Sequence, residues 1–316
     1  MSPMPDLGRF LAHQLGCSTT KMRQGHRIGQ LIAVFRSSFY VEFADGMCCI
    51  GHENFNSGPL NIITDVPASV DWRQCGLEPG DKVWITNDKI SVGQSLQFST
   101  KNAKVWYPPI SNNDWTPSSL RKGLDRLTNY YRNAIPSEGL GRFILSDWST
   151  IAANPVSNFA EPAVGYFRLW LQGKIDTPTR INRFVGLGPG LTPSGDDYIG
   201  GAMIALRNLG DTTSVDQIWN ICRPISLALG NRISHAHLDC AASGYGSASL
   251  HEFIIALLQG RNVKMLSAIQ DLDKIGHTSG WDALAGAVTA YRAYLGDSNL
   301  HNHLQTAPNL VEALPR

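Results

Sequence analysis

Up to about Pro109 the apolar residues come in short alternating runs, and beyond it they recur every three or four positions. Gln30 to Phe35 and Phe39 to Phe43 are rich in β-branched and aromatic residues, the pattern of half-buried strands. Asp45-Gly46 marks a turn into a strand over Met47 to Ile50, which makes a hairpin. Glu78-Pro79-Gly80-Asp81 carries turn chemistry and precedes strands over Lys82 to Thr86, Lys89 to Val92 and Lys104 to Tyr107. A short helix is expected near Gly8 to Leu15. Tyr107 to Asn113, with Pro108-Pro109, reads as a linker. After it, Leu120, Leu124, Leu127 and Tyr131 share one helical face, and so do Leu250, Phe253, Ile254, Leu257 and Leu258. Ser249 and Glu252 stand at capping-box spacing for the second of these, and Gly260 ends it. Ser214 and Gln217 suggest another helix start, with Pro224 expected to kink or end that helix. Ile181 to Val185 reads as a short strand. The predicted class is α+β. A small β-rich barrel or sandwich over residues 1–110 precedes a mainly helical domain over 111–316 with glycine-rich loops.

Glycine, hydroxyl and carboxylate crowd together in GLGPGLTPSGDDYIGG at 186–201. Glycine loses the most conformational freedom on folding, and adjacent aspartates repel, so such a stretch implies a purpose. A second copy lies further along the chain. Ser279-Gly280-Trp281-Asp282-Ala283-Leu284-Ala285-Gly286 repeats the layout of Ser194 to Gly201, and the register runs on to Arg207 and Arg292. Self-similarity of this kind predicts two related loop-to-helix corners. One reading makes both plain helix N-termini, with Ser194 and Asp197, and Ser279 and Asp282, as capping boxes, or Pro193 as first helical residue behind Thr192. The other makes them a ligand site. Asp196 separates the two, because its counterpart is Trp281 and the repeat does not require an acid there.

Composition narrows the function. The formal net charge is +1, with no long basic or acidic block, which argues against nucleic acid or an electrostatic membrane anchor. No apolar run approaches the roughly 20 residues of a membrane span, and the first residues carry no signal-peptide pattern. Six cysteines without a C-x-x-C pair read as reduced cytosolic thiols. The glycine run lacks the Lys-Ser/Thr of a nucleotide phosphate loop and departs from the dinucleotide fingerprint. No G-x-S-x-G elbow is present, so Ser194 and Ser279 would act as nucleophiles only with a base nearby in space. His235 and His237 form an H-x-H that would diverge on a helix, which disfavours a metal role. His277 lies inside the second motif and is an acid–base candidate. Asn56 and Gly58, in the polar loop Asn54 to Ile62, are candidate ligand contacts or simply a turn between strands.

The motifs GLGPGLTPSGDDYIGG at 186–201 and GHTSGWDALAG at 276–286, with FNSGPLNI at 55–62, resemble the AllH-type subunit of bacterial oxamate carbamoyltransferase. The resemblance covers most of the chain. It implies a cytoplasmic subunit of a multi-subunit carbamoyltransferase in allantoin and purine degradation, converting oxalurate and phosphate to oxamate and carbamoyl phosphate with other subunits. Under it, Asp196, Ser194 and His277 are the catalytic candidates. Gly188, Gly190, Thr192, Asp197, Thr278, Ser279, Asp282, Asn56 and Gly58 are the candidates for binding a small anionic substrate. Backbone N–H groups of Gly188 to Gly190 and the following helix N-terminus suit phosphate or carboxylate. Asp196 could accept from a ureido NH₂ or hold Mg²⁺. Two alternatives stay open: a non-catalytic binding or scaffold subunit of such a complex, and a stand-alone metal-dependent enzyme on a ureido or amide substrate.

Overall fold

The structure is a computed structural model that describes residues 8–23, 25–94, 96–109, 114–178 and 180–296. The chain divides into two compact units, Met1–Pro109 and Ile110–Arg316. Residues 110–113 of the expected linker lie outside the described residues.

The first unit holds nine strands: β1 (Arg9–Gly16), β2 (Arg27–Val34), β3 (Ser38–Phe43), β4 (Gly46–Gly51), β5 (Asn61–Thr64), β6 (Lys82–Thr86), β7 (Lys89–Val92), β8 (Leu96–Ser99) and β9 (Lys104–Trp106). Their order is β5-β4-β3-β2-β6-β7-β8-β1-β9, and β1 also pairs with β5. That last pairing closes eight strands into a barrel, and β9 is hydrogen-bonded to β1 beside it. The predicted hairpin falls at Asp45-Gly46, with Phe43 opposite Gly46, and β6 and β7 form another, with Thr86 opposite Lys89. Inward positions such as Leu31, Val41, Val83 and Phe98 are fully buried, and Trp72 packs edge-on against Phe39 inside the barrel core.

The expectation of a helix near Gly8 to Leu15 is wrong. Those residues form β1, which pairs with β5 along one edge and with β8 and then β9 along the other. A register shift between Ala12 and Gln14 breaks the period-two alternation, so local pattern concealed a strand fixed by long-range pairing. Asn56 and Gly58 occupy the turn into β5. Asn61 Nδ2 donates to the Asn56 carbonyl at 2.7 Å, and the Gly58 carbonyl accepts from Asn61 N–H at 3.2 Å. These contacts are internal to the turn.

The second unit is built from α1 (Pro117–Tyr131), α2 (Pro155–Leu171), α3 (Ser194–Asn208), α4 (Thr212–Leu229), α5 (Arg232–Ala242), α6 (Ala248–Leu258), α7 (Asn262–Leu272) and α8 (Ser279–Tyr294). Leu120, Leu124 and Leu127 of α1 are buried on one face, as their spacing requires. The cap of α6 is Ser247 rather than Ser249, which is buried instead. The α4 helix runs through Pro224 to a left-handed Gly230. Pro224 and Asn220, whose carbonyl loses its donor, are both on the exposed side, so solvent can take over the missing bond. Ile181 to Val185 is not a strand. A 3₁₀ turn spans Ile181–Arg183, and Ile181 and Phe184, three apart on one side of it, are both buried.

At the centre of the unit, α3 and α8 make its most extensive helix contact. The pairing is reciprocal. A Cβ on Gly201 would lie 1.8 Å from the Ala283 carbonyl oxygen, and one on Gly286 would lie 1.8 Å from that of Tyr198. Gly201 and Gly286 are counterparts in the repeat, and so are Tyr198 and Ala283. The two copies therefore cross with local two-fold symmetry, at a distance only glycine permits. Tyr198 Oη donates to Thr289 Oγ1 across the pair at 2.7 Å.

Candidate functional site

Helices α1, α2, α4, α5 and α6 each have a side-chain cap on their first turn. The α3 and α8 helices have none, although serine, threonine and aspartate crowd their N-termini. The capping-box reading of Ser194 with Asp197, and of Ser279 with Asp282, is thus incorrect. Pro193 and Thr278 stand at the two N-cap positions, and the polar side chains turn to other partners.

Those partners join the two corners. Thr192 Oγ1 and Ser279 Oγ lie 3.0 Å apart. Asp282 is fully buried. It accepts from Leu140 N–H at 2.5 Å and from Thr278 Oγ1 at 2.8 Å, and Ser194 also acts on it as a donor. Ser279 and Thr192 act in the same way on Asp197. Each carboxylate therefore meets the first serine of the opposite helix. Asp197 is half-buried, but its Oδ2 is shielded from solvent and has no hydrogen-bond partner among the described residues. Burial, then the charge of Asp282, pushes the Asp197 carboxyl well above the usual range, and the two hydroxyls pull it only partly back. Burial raises Asp282 to about 6 against its three donors. The charges acting on Asp197 are those of Asp282 and Asp196, both negative. Such a pair favours keeping a proton.

Asp196 points elsewhere. It is buried; its Oδ1 accepts from Gly186 N–H at 2.8 Å and its Oδ2 from Ser234 Oγ at 2.5 Å. Burial raises its carboxyl above the ordinary value, and the two donors oppose that shift. It lines a cavity of about 160 Å³ with Gly186, Pro193, Ser226, Leu229 and Asn231. Asn231 Nδ2 donates to the Leu191 carbonyl at 2.8 Å and so anchors the glycine loop beside the cavity. At the second corner the counterpart Trp281 is buried and donates its Nε1 to Asp273 at 2.7 Å. One corner fills this place with an indole, and the other puts a carboxylate on a cavity.

Gly188 and Gly190 hold left-handed φ values of +106° and +102°, which a side chain would strain. A Cβ on Gly188 would also come within 3.1 Å of Ser194 N. The loop is therefore folded tightly onto the start of α3. His277 is exposed and bonds Glu138 across 2.7 Å, on the outside of the second corner. Asp196 is the one carboxylate among the residues that line the cavity, and each of its oxygens already accepts one hydrogen bond. Among the described residues no group of three His, Cys, Asp or Glu gathers to hold a metal. The H-x-H residues lie on α5, a helix, where they point apart. His235 stacks on Trp219 and its Nδ1 meets Ser226 Oγ at 2.8 Å. Ser226, Ser234 and Asn231 carried no sequence signal, since they reach the glycine loop only through the packing of α4 and α5.

The architecture is a closed β-barrel unit followed by a helical unit centred on two repeated glycine corners. Residues 184–291 match the family described as oxamate carbamoyltransferase subunit AllH, and residues 12–105 match the AllH family N-terminal domain. The chain belongs to the AllH family. No solved structure matches it. Among the described residues no helix is long and apolar enough to cross a membrane.

Proposed function

We propose that this chain is the subunit of an oxamate carbamoyltransferase-like complex that holds a small ureido or amide ligand in the cavity beside Asp196. The supporting observation is Asp196 itself, a buried carboxylate on a cavity wall that the matching corner of the fold does without. Each of its oxygens accepts one bond and keeps a further lone pair, so it can receive the N–H groups of a carbamoyl or oxamate amide. The anionic end of such a ligand suits the N-terminus of α3 and the backbone of Gly188 to Gly190. On this reading Thr192, Ser194, Thr278, Ser279, Asp197 and Asp282 hold the two helix starts together behind the ligand. The overall reaction is transfer of the carbamoyl group of oxalurate to phosphate, in the cytoplasm and with partner subunits.

A second reading, a binding subunit whose partners carry the chemistry, draws support from one observation. Leu229, which lines the cavity, is 56 % exposed, and Leu191, whose carbonyl the cavity residue Asn231 holds, is 41 % exposed, an apolar margin suited to a partner. Thermal unfolding with oxamate, oxalurate, carbamoyl phosphate and phosphate tests the first reading. A ligand at 100 times its dissociation constant adds about 2.7 kcal/mol. We expect stabilisation by at least one of the four and its loss in Asp196→Asn. Stabilisation that survives the substitution places the ligand elsewhere. None from any of the four favours the binding-subunit reading.

A further inference from the structure

Ser226 sits in the last turns of α4 and is 4 % exposed, yet it lines the same cavity as Asp196. Its Oγ lies 3.0 Å from the Arg223 carbonyl and 2.8 Å from His235 Nδ1. A serine inside a helix commonly bonds back to a carbonyl of the preceding turn, which explains the first contact and not the second. The second comes from another helix. His235 is the fourth residue of α5, and its ring is fixed by stacking on Trp219 at 5.6 Å between centroids. Turning the hydroxyl hydrogen from the Arg223 carbonyl to Nδ1 requires only rotation about the Cβ–Oγ bond. A serine on a cavity wall and an imidazole at hydrogen-bond distance form a nucleophile and base.

We propose that Ser226 is a nucleophile, with His235 as its general base, that takes the carbamoyl group from a ureido donor in this cavity. The inference rests on the reading of the cavity as the ligand site. Ser226 Oγ attacks the carbamoyl carbon while His235 Nδ1 takes the hydroxyl proton. The C–N bond to the leaving amide breaks, and the proton on His235 passes to that nitrogen. Hydrogen phosphate then gives its proton to His235 Nδ1 as its oxygen attacks the carbamoyl-serine. The Oγ–C bond breaks, carbamoyl phosphate leaves, and His235 returns that proton to Ser226 Oγ. Asp196, on the same wall, is placed to accept from the NH₂ of the carbamoyl group. Burial lowers the His235 pKa, so the ring is neutral and free to accept a proton near pH 7. The charges facing it are Asp239, one turn along α5, and Arg223 on α4, which act in opposite directions.

The test uses the full chain and p-nitrophenyl N-methylcarbamate, with nitrophenolate release and peptide mass mapping as readouts. We expect a burst of about one equivalent and one carbamoyl adduct, on Ser226. Ser226→Ala should give neither. His235→Gln, which keeps a hydrogen-bonding group, should slow the burst by about 10²-fold or more, the scale of lost general-base help. No adduct on Ser226 in the wild-type chain, or an undiminished burst in His235→Gln, overturns the proposal. Labelling of Ser226 in a chain that none of the four ligands stabilises leaves the nucleophile standing and removes the oxalurate reading. Ligand stabilisation lost in Asp196→Asn, with Ser226 unlabelled, does the reverse.

Discussion

Gly201→Ala should destabilise the helical unit by about 3 kcal/mol, in the upper part of the overpacking range. The new methyl would lie 1.8 Å from the Ala283 carbonyl oxygen and 2.5 Å from its carbon. Both are backbone atoms of α8, so no rotamer change relieves the clash and the helices must separate. Separation opens gaps along the central contact of the unit. Alanine gains about 1 kcal/mol over glycine in a helix interior, so the clash must exceed that before any loss appears. Gly286→Ala meets the Tyr198 carbonyl at the same 1.8 Å and should cost as much. The double variant should cost clearly less than the sum, because the first methyl has already parted the helices. Gly200→Ala is the control. Its methyl would meet only the Ala241 side chain, at an ordinary 3.5 Å, and the substitution should be neutral to stabilising by up to about 1 kcal/mol. Urea unfolding of the four variants decides the matter. Gly201→Ala as stable as Gly200→Ala would mean that the close crossing does not limit this helix pair.

That crossing was partly legible in the sequence. The repeat placed Gly201 and Gly286 in register and predicted two related corners. It did not show that each glycine meets the residue three places before its own counterpart, which is a property of the two-fold crossing. The strands bounded by clear turns, such as β3 and β4, and the one-sided α1 were readable because their pattern is local. The β1 strand was not, because its pairing partners lie some fifty to ninety residues further on and a bulge disturbs its alternation. The 3₁₀ turn at Ile181–Arg183 and the Phe184 that follows it bury Ile181 and Phe184, residues a short strand would use as well.

The candidate site divides in the same way. Asp196 stood out because its counterpart in the repeat is Trp281, and it is the acid that lines the cavity. Asp197 and Asp282 fitted a capping box by spacing, but spacing is blind to the neighbouring helix, whose first serine acts as a donor to each of them instead. Ser226 sits thirty residues past Asp196, behind a proline expected to disturb its helix, and nothing in its local sequence links it to His235. Helix packing brings them together, and no short motif encodes that.

Asp197→Asn should become increasingly stable relative to the wild-type chain as pH rises from 5 to 8. Asp197 and Asp282 both have folded-state pKa values above the 3.8 of an ordinary carboxyl. Between about pH 4 and those values the folded chain binds more protons than the unfolded one. The stability they contribute is complete below pH 4. It is lost as pH rises, and for Asp282 the loss is complete beyond about 6; Asp197, raised in the same sense by burial and by the charge of Asp282, loses its contribution in the same direction. For Asp282 the change corresponds to about 3 kcal/mol at 1.36 kcal/mol per unit. The wild-type curve will not show this alone. Burial holds His237 and His251 down at about 4, and their contribution runs the other way, vanishing as pH falls from 6.5 towards 4. The difference between wild type and variant cancels these histidines. Asparagine keeps an acceptor for Ser279 and Thr192 and cannot ionise, so the two chains should be closest in stability at about pH 4, and the variant should gain on the wild type as pH rises above it. At pH 8 the variant should lead by about 1–3 kcal/mol, because it no longer holds a second negative charge beside Asp282. Denaturant unfolding at pH 5, 6.5 and 8 reads the difference directly. A constant difference across that range would show that the pair titrates as two ordinary carboxylates. A variant that loses ground as pH rises would show that an ionised Asp197 stabilises the corner through a cation held there.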